Sequence, residues 1–146
     1  MRIGRVLAAG LLAATATAML TLPAAHAATT NERADMTGPQ ETSPPGPADA
    51  KGTATITLDD AANNVCYQLT YSGISKPTAA HIHAGAKGVA GPPVVTFDVQ
   101  KAGDKGCVPS DAATIAKIRD NPAGYYVNIH TAEYPKGAIR GQLAKV

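Results

Sequence analysis

The sequence predicts an all-β domain, an antiparallel β-sandwich or flattened barrel with one short helix near residues 110–120. Three observations point there: runs in which apolar and polar residues alternate, turn-forming Gly, Pro, Asn and Asp between those runs, and a single segment with helix caps. The length of 146 residues, with 45% hydrophobic and 16% charged side chains, suits one domain and excludes a coiled coil or an acidic disordered chain.

The N-terminus reads as a signal peptide over residues 1–27. Arg2 and Arg5 precede an almost wholly apolar stretch, Val6 to Leu22, and Ala25-His26-Ala27 has the small-x-small form of a cleavage site. The mature domain then spans 28–146. Removing Arg2 and Arg5 leaves basic and acidic side chains in balance, so the precursor's +2 charge implies no nucleic-acid partner. After cleavage no apolar run reaches the roughly 18 residues of a transmembrane segment. A secreted, extracellular or periplasmic protein is the expectation. In such a compartment an even count of two thiols pairs, so Cys66 and Cys107 are expected to form a disulfide.

Residues 28–51 carry Pro39, Pro44, Pro45 and Pro47, which predict a short strand and an irregular N-terminal edge. From Gly52 the period is two: Ala54, Ile56 and Leu58 alternate with threonines, and Val65, Tyr67, Leu69 and Tyr71 alternate with Cys66, Gln68 and Thr70 beyond the turn at 59–64. Thr78–Ala84 and Val94–Val99 read as strands around the Gly- and Pro-rich loop 85–93. Ser110–Asp120 reads as the helix, with Ser110 as cap, Asp111 at its positive end, Lys117 and Arg119 at its negative end and Pro122 beyond. Gly124–Thr131 and Ala138–Lys145 form a terminal hairpin around Tyr134-Pro135-Lys136-Gly137.

Chemistry concentrates on three histidines. In His81-Ile82-His83 the two imidazoles share a face about 7 Å apart while Ile82 turns to the core. In Tyr125-Tyr126-Val127-Asn128-Ile129-His130 the buried set is Tyr125, Val127 and Ile129, which turns Tyr126, Asn128 and His130 outward. If the two strands are neighbours, His81, His83 and His130 converge as three ligands for copper or zinc. The other reading is a polar network in which the histidines bond to loop carbonyls and to Asn128, Thr131 or Glu133. Arg140 also faces outward by parity, to bind a carboxylate-bearing partner or to pair with Glu133 or Asp98. Tyr126, Asn128, Glu133 and Arg140 complete the expected binding face. Glycines 85, 88 and 91 lack the Lys and following helix of a phosphate loop, and no hydrolase elbow or zinc-protease motif occurs.

Three segments together resemble the CHRD domain, named after the repeated domain of chordin. They are Gly38-Pro39-Gln40-Glu41 with Pro44-Pro45, Ala80-His81-Ile82-His83-Ala84-Gly85 with Gly88 and Gly91-Pro92, and Gly124-Tyr125-Tyr126-Val127-Asn128-Ile129-His130-Thr131 with Gly137 and Ile139-Arg140-Gly141-Gln142-Leu143. The resemblance runs from about Arg33 to Lys145. It implies an extracellular module with no catalytic residues, although the acidic residue common before the Ile-Arg-Gly-Gln-Leu segment is here Ala138. In architecture the expected sandwich is immunoglobulin-like or superoxide-dismutase-like. The copper/zinc dismutases also carry a His-x-His on an outward strand, but their dinuclear site needs more histidines than the three left after the leader.

Two functional expectations follow. The first is a non-enzymatic binding or structural module whose partner is an extracellular or cell-surface protein. The second is a mononuclear copper- or zinc-binding protein using His81, His83 and His130. A third, an enzyme, has no positive sign in the sequence.

Overall fold

The computed structural model describes residues 29–42 and 44–146. The signal peptide expected over 1–27 and the domain start at 28 lie outside the described residues. Eight strands form one sheet: β1 (Thr29–Thr37), β2 (Lys51–Asp59), β3 (Asn64–Ser72), β4 (Ala79–Ala84), β5 (Pro93–Thr96), β6 (Lys105–Pro109), β7 (Tyr125–His130) and β8 (Ile139–Lys145). Their order is β5-β4-β7-β8-β1-β2-β3-β6, with every pairing antiparallel. The sheet curls until its ends nearly meet. Tyr67 of β3 stacks on Phe97, just beyond β5, with ring centroids 4.4 Å apart. The result is the expected antiparallel sandwich, nearly closed into a barrel.

Alternation places the core. Ala54, Ile56 and Leu58 of β2 and Val65, Tyr67 and Leu69 of β3 point inward, against Ile82 of β4, Val127 and Ile129 of β7, and Ile139 and Leu143 of β8. Burying each such Ile or Leu stabilises the fold by about 1.5–3 kcal/mol. The helix α1 (Ala112–Asp120) adds Ile115 and Ile118 to the same core. Cys66 and Cys107 sit opposite each other on β3 and β6 and form the expected disulfide. No helix among the described residues is long and apolar enough to cross a membrane.

The structure corrects four details. Residues 29–37, expected as a short strand at an irregular edge, make a nine-residue strand in the sheet interior, paired with β8 on one side and β2 on the other. The prolines that mark an edge begin only at Pro39, in a 3-10 turn, and the described residues 41, 42 and 44–50 beyond it form no strand or helix. Strand β6 was not expected, because Gly106 and Pro109 leave it no alternating apolar face. Strand β5 ends at Thr96 instead of Val99, although Phe97 and Val99 remain buried. The helix is capped by Asp111, whose carboxylate accepts from the Thr114 N–H at 2.8 Å, in place of Ser110.

One core position is anomalous. The inward residues of β1 are Glu32, Ala34 and Met36, and Glu32 is fully buried, with neither carboxylate oxygen hydrogen-bonded among the described residues. Burial raises its pKa to about 7, and the charge of Lys145, its register partner on β8, acts in the opposite direction.

Candidate metal centre

Register explains how the site forms. Strands β4 and β7 are neighbours with His81 opposite Asn128, His83 opposite Tyr126 and Ala79 opposite His130, and β8 places Arg140 opposite Asn128. Inward Ile82, Val127 and Ile129 force His81, His83, Tyr126, Asn128 and His130 onto the other face of the sheet, as expected from parity. The three imidazoles meet there, each offering a ring nitrogen within 4.8 Å of the others.

That face is outward but not exposed. Tyr126 is 4% exposed, Asn128 2% and Arg140 2%. The 85–91 loop covers them. Arg140 Nη2 donates to the carbonyls of Ala86 and Val89, both at 2.9 Å, and Gln142 Nε2 donates to Gly85 O at 2.6 Å. Gly91 N–H donates to Tyr126 Oη at 3.2 Å. A Cβ on Gly91 would lie 1.6 Å from Ala84 O, so only glycine lets the loop come this close. Neither expected ion pair of Arg140 forms: Glu133 is exposed, and Asp98 is beside Lys101 at 3.9 Å. The guanidinium instead lies over the Tyr126 ring, its carbon 3.4 Å from the centroid. Tyr126 in turn stacks on His83, 4.9 Å away and 7° from parallel.

The loops also fix the histidine protons. His83 Nδ1 is 2.8 Å from Gly91 O, and His130 Nδ1 is 3.0 Å from Pro135 O. A carbonyl oxygen only accepts, so both Nδ1 atoms carry a hydrogen, which in the neutral ring leaves the lone pair on Nε2. The Nε2 of His83 is buried with no hydrogen-bond partner among the described residues. The Nε2 of His130 is 3.1 Å from His81 Nδ1 and 3.1 Å from Asn128 Oδ1. Burial, then the charges of His130 and His83, lowers the His81 pKa to about 4, against the Asn128 side chain, which raises it. Burial also lowers His130, with the Pro135 carbonyl raising it and His83 lowering it. His81 and His130 are therefore neutral at pH 7 and able to coordinate.

Sequence reasoning missed one member of the cluster. Glu41, just beyond the 3-10 turn at Gly38–Gln40, is 7% exposed and lies against Asn128 and Arg140. Burial raises its pKa, while the Asn128 side chain, the Arg140 charge and the Thr42 backbone lower it; Oε1 is buried with no hydrogen-bond partner among the described residues. A Cβ at Gly137, where φ is 136°, would fall 2.3 Å from Glu41 Oε1, so the carboxylate fills the space a side chain there would take. A Glu in a Pro-rich loop reads as solvated. Its only signal was its place in the Gly-Pro-Gln-Glu segment.

Three imidazole nitrogens, two of them with the opposite ring N–H anchored on a carbonyl, match the donor set and outer-shell support that zinc and copper take. The orphaned Nε2 of His83 fits the same group. Both cysteines are used in the disulfide and are not available as ligands.

Among curated proteins and solved structures, none matches the chain. The family model described as the CHRD domain matches residues 33–143, a span that includes all three histidines, Glu41, Asn128 and Arg140. The chain belongs to the CHRD domain family.

Proposed function

We propose that this protein is an extracellular CHRD module that binds one divalent transition-metal ion, copper or zinc, through His81, His83 and His130. The observation that carries the proposal is the convergence of three ring nitrogens on one covered patch, with His83 Nε2 buried and unpartnered. A purely structural network would pair that nitrogen, because an unsatisfied buried acceptor costs about 1–3 kcal/mol. The extracellular placement is supported by the family and by the disulfide. The role is binding, which the anchoring of two donors by loop carbonyls supports.

The test is titration of the purified, tag-free protein with Cu²⁺ and with Zn²⁺, alongside a His81→Ala/His83→Ala variant. The expected result is one ion per chain, bound at micromolar affinity or tighter, and lost in the variant. Metal at a hundred times its Kd should stabilise the wild type by about 2.7 kcal/mol by mass action. Weak binding that the variant retains would overturn the metal centre and leave a polar network in a module that captures an extracellular or cell-surface protein.

A further inference from the structure

Tyr126 reaches two parts of the covered site at once. It stands directly opposite His83 in the register of β4 and β7, so the two rings leave the same face of neighbouring strands and stack, 4.9 Å apart and 7° from parallel. Arg140 comes from β8, on the other side of β7, and its guanidinium carbon lies 3.4 Å from the centroid of the same phenol ring. The ring is thus held between an imidazole and a guanidinium and is 4% exposed.

The hydroxyl of Tyr126 meets both polar atoms of Gly91. The Gly91 N–H donates to Tyr126 Oη at 3.2 Å, and Tyr126 Oη donates to the Gly91 carbonyl at 3.4 Å. That carbonyl is the one that accepts from His83 Nδ1 at 2.8 Å. His83, Gly91 and Tyr126 therefore close a ring of contacts: the stack sets the plane of the imidazole, and the carbonyl sets how it turns within that plane. Together they direct Nε2, the buried nitrogen that has no partner among the described residues. Glycine at both ends of the loop makes room for this, since a Cβ at Gly91 would lie 1.6 Å from Ala84 O and one at Gly85 3.0 Å from Tyr126 Cε1. The other pins of the loop, from Arg140 to Ala86 O and Val89 O and from Gln142 to Gly85 O, end on carbonyls that no histidine shares.

We propose that Tyr126 is a positioning residue of the metal centre, which orients His83 through its ring and through Gly91 and so couples ion binding to closure of the 85–91 loop. The proposal rests on the three-histidine reading and names what regulates that site. Coupling of this kind is reciprocal: a bound ion holds the Gly91 end of the loop down, and a loop held down tightens the ion. Tyr126 touches the ligand and not the metal.

The test is Cu²⁺ titration with electron paramagnetic resonance of the bound ion, whose hyperfine splitting reports the geometry of its nitrogen ligands. Wild type, Tyr126→Phe, Gln142→Ala and His81→Ala/His83→Ala are compared, with circular dichroism as the folding control. Tyr126→Phe keeps the stack but loses both hydroxyl contacts, and it should bind about tenfold more weakly, the usual scale for an outer-shell partner, with an altered splitting. Gln142→Ala unpins the loop at Gly85 and should keep the wild-type affinity and splitting. If wild type binds and Tyr126→Phe keeps both affinity and splitting, the positioning role is overturned and the histidine site stands. Equal weakening in Gln142→Ala and Tyr126→Phe also overturns it, because the loop then acts as a whole and not through Gly91. If wild type binds no better than the double histidine variant, the metal reading itself falls. Should Tyr126→Phe fail to fold, hydrogen exchange in the wild type decides: added Zn²⁺ must slow exchange of the Gly91 N–H more than that of the Gly85 N–H, which bonds Gly124 O, and equal slowing overturns the assignment.

Discussion

The two halves of the sheet use the same alternating pattern and treat their outer faces in opposite ways. On β1, β2 and β3 the outward residues Arg33, Asp35, Thr55, Gln68 and Thr70 face water. On β7 and β8 the outward Tyr126, Asn128 and Arg140 are as buried as the inward Val127 and Ile129, because the 85–91 loop and the segment around Glu41 lie over them. Period two therefore fixes which way a side chain points but says nothing about what covers it. A polar residue under a cover needs a partner for every donor and acceptor, and that requirement concentrates the chemistry in one half of the molecule.

The comparison breaks most visibly at its two arginines. Arg140→Ala removes the donor to two loop carbonyls and the positive charge nearest Glu41, and should cost about 3–5 kcal/mol in denaturant unfolding. Arg33→Ala, which ends an exposed ion pair with Asp35, should cost less than about 1 kcal/mol. Equal losses would mean that the covered face is not built as described.

A second pair of variants sharpens the contrast through pH. The folded protein binds the Glu32 proton up to about pH 7, so this group's contribution is complete below its ordinary pKa of 4.5 and lost as pH rises to 7. His81, lowered from 6.5 to about 4, contributes stability that is complete above 6.5 and lost as pH falls to 4. Each shift is worth at most about 3 kcal/mol, and the two slopes oppose each other over the shared range. Wild-type stability should accordingly vary little between pH 4.5 and 6.5. Glu32→Gln should make it climb with pH and His81→Gln should make it decline, as read from urea midpoints across that range. Parallel profiles for the two variants would show that these groups do not titrate as their burial implies.

The smallest expected effect lies on the open half. Thr53 and Thr70 share a cross-strand hydroxyl contact of 2.7 Å, and Thr53→Ala should lower stability by about 0.2–1 kcal/mol without touching metal binding. A loss of metal affinity in that variant would show that the two halves are coupled.

Much of this was legible in the chain. Parity put His81, His83 and His130 on one face, the pairing of β4 with β7 that the sequence left as a condition brought them to one patch, and counting thiols in a chain expected to be exported paired Cys66 with Cys107. The interior position of β1 was hidden because its inward face is Glu32, Ala34 and Met36, a set too polar and too small to stand out. Strand β6 was hidden because pairing and a disulfide hold it to β3 without an apolar face of its own. The burial of Arg140 and of Glu41 was hidden for another reason. Both depend on where a loop closes, and loop closure is a long-range event that leaves no local period.

The place of β1 has a consequence for how the chain reaches this state. One of its edges is completed by β2, which follows at once, but the other waits for β8, where Glu32 meets Lys145 near the very end of the sequence. The β1-β2-β3 meander can assemble from its own neighbours. Strands β7 and β8, and with them Asn128, His130 and Arg140, can dock only after the other six strands of the sheet have been made. High contact order of this kind slows folding. It also orders events in time: the patch of His81, His83 and His130 comes together only when β7 joins β4, after the β1-β2-β3 meander has formed.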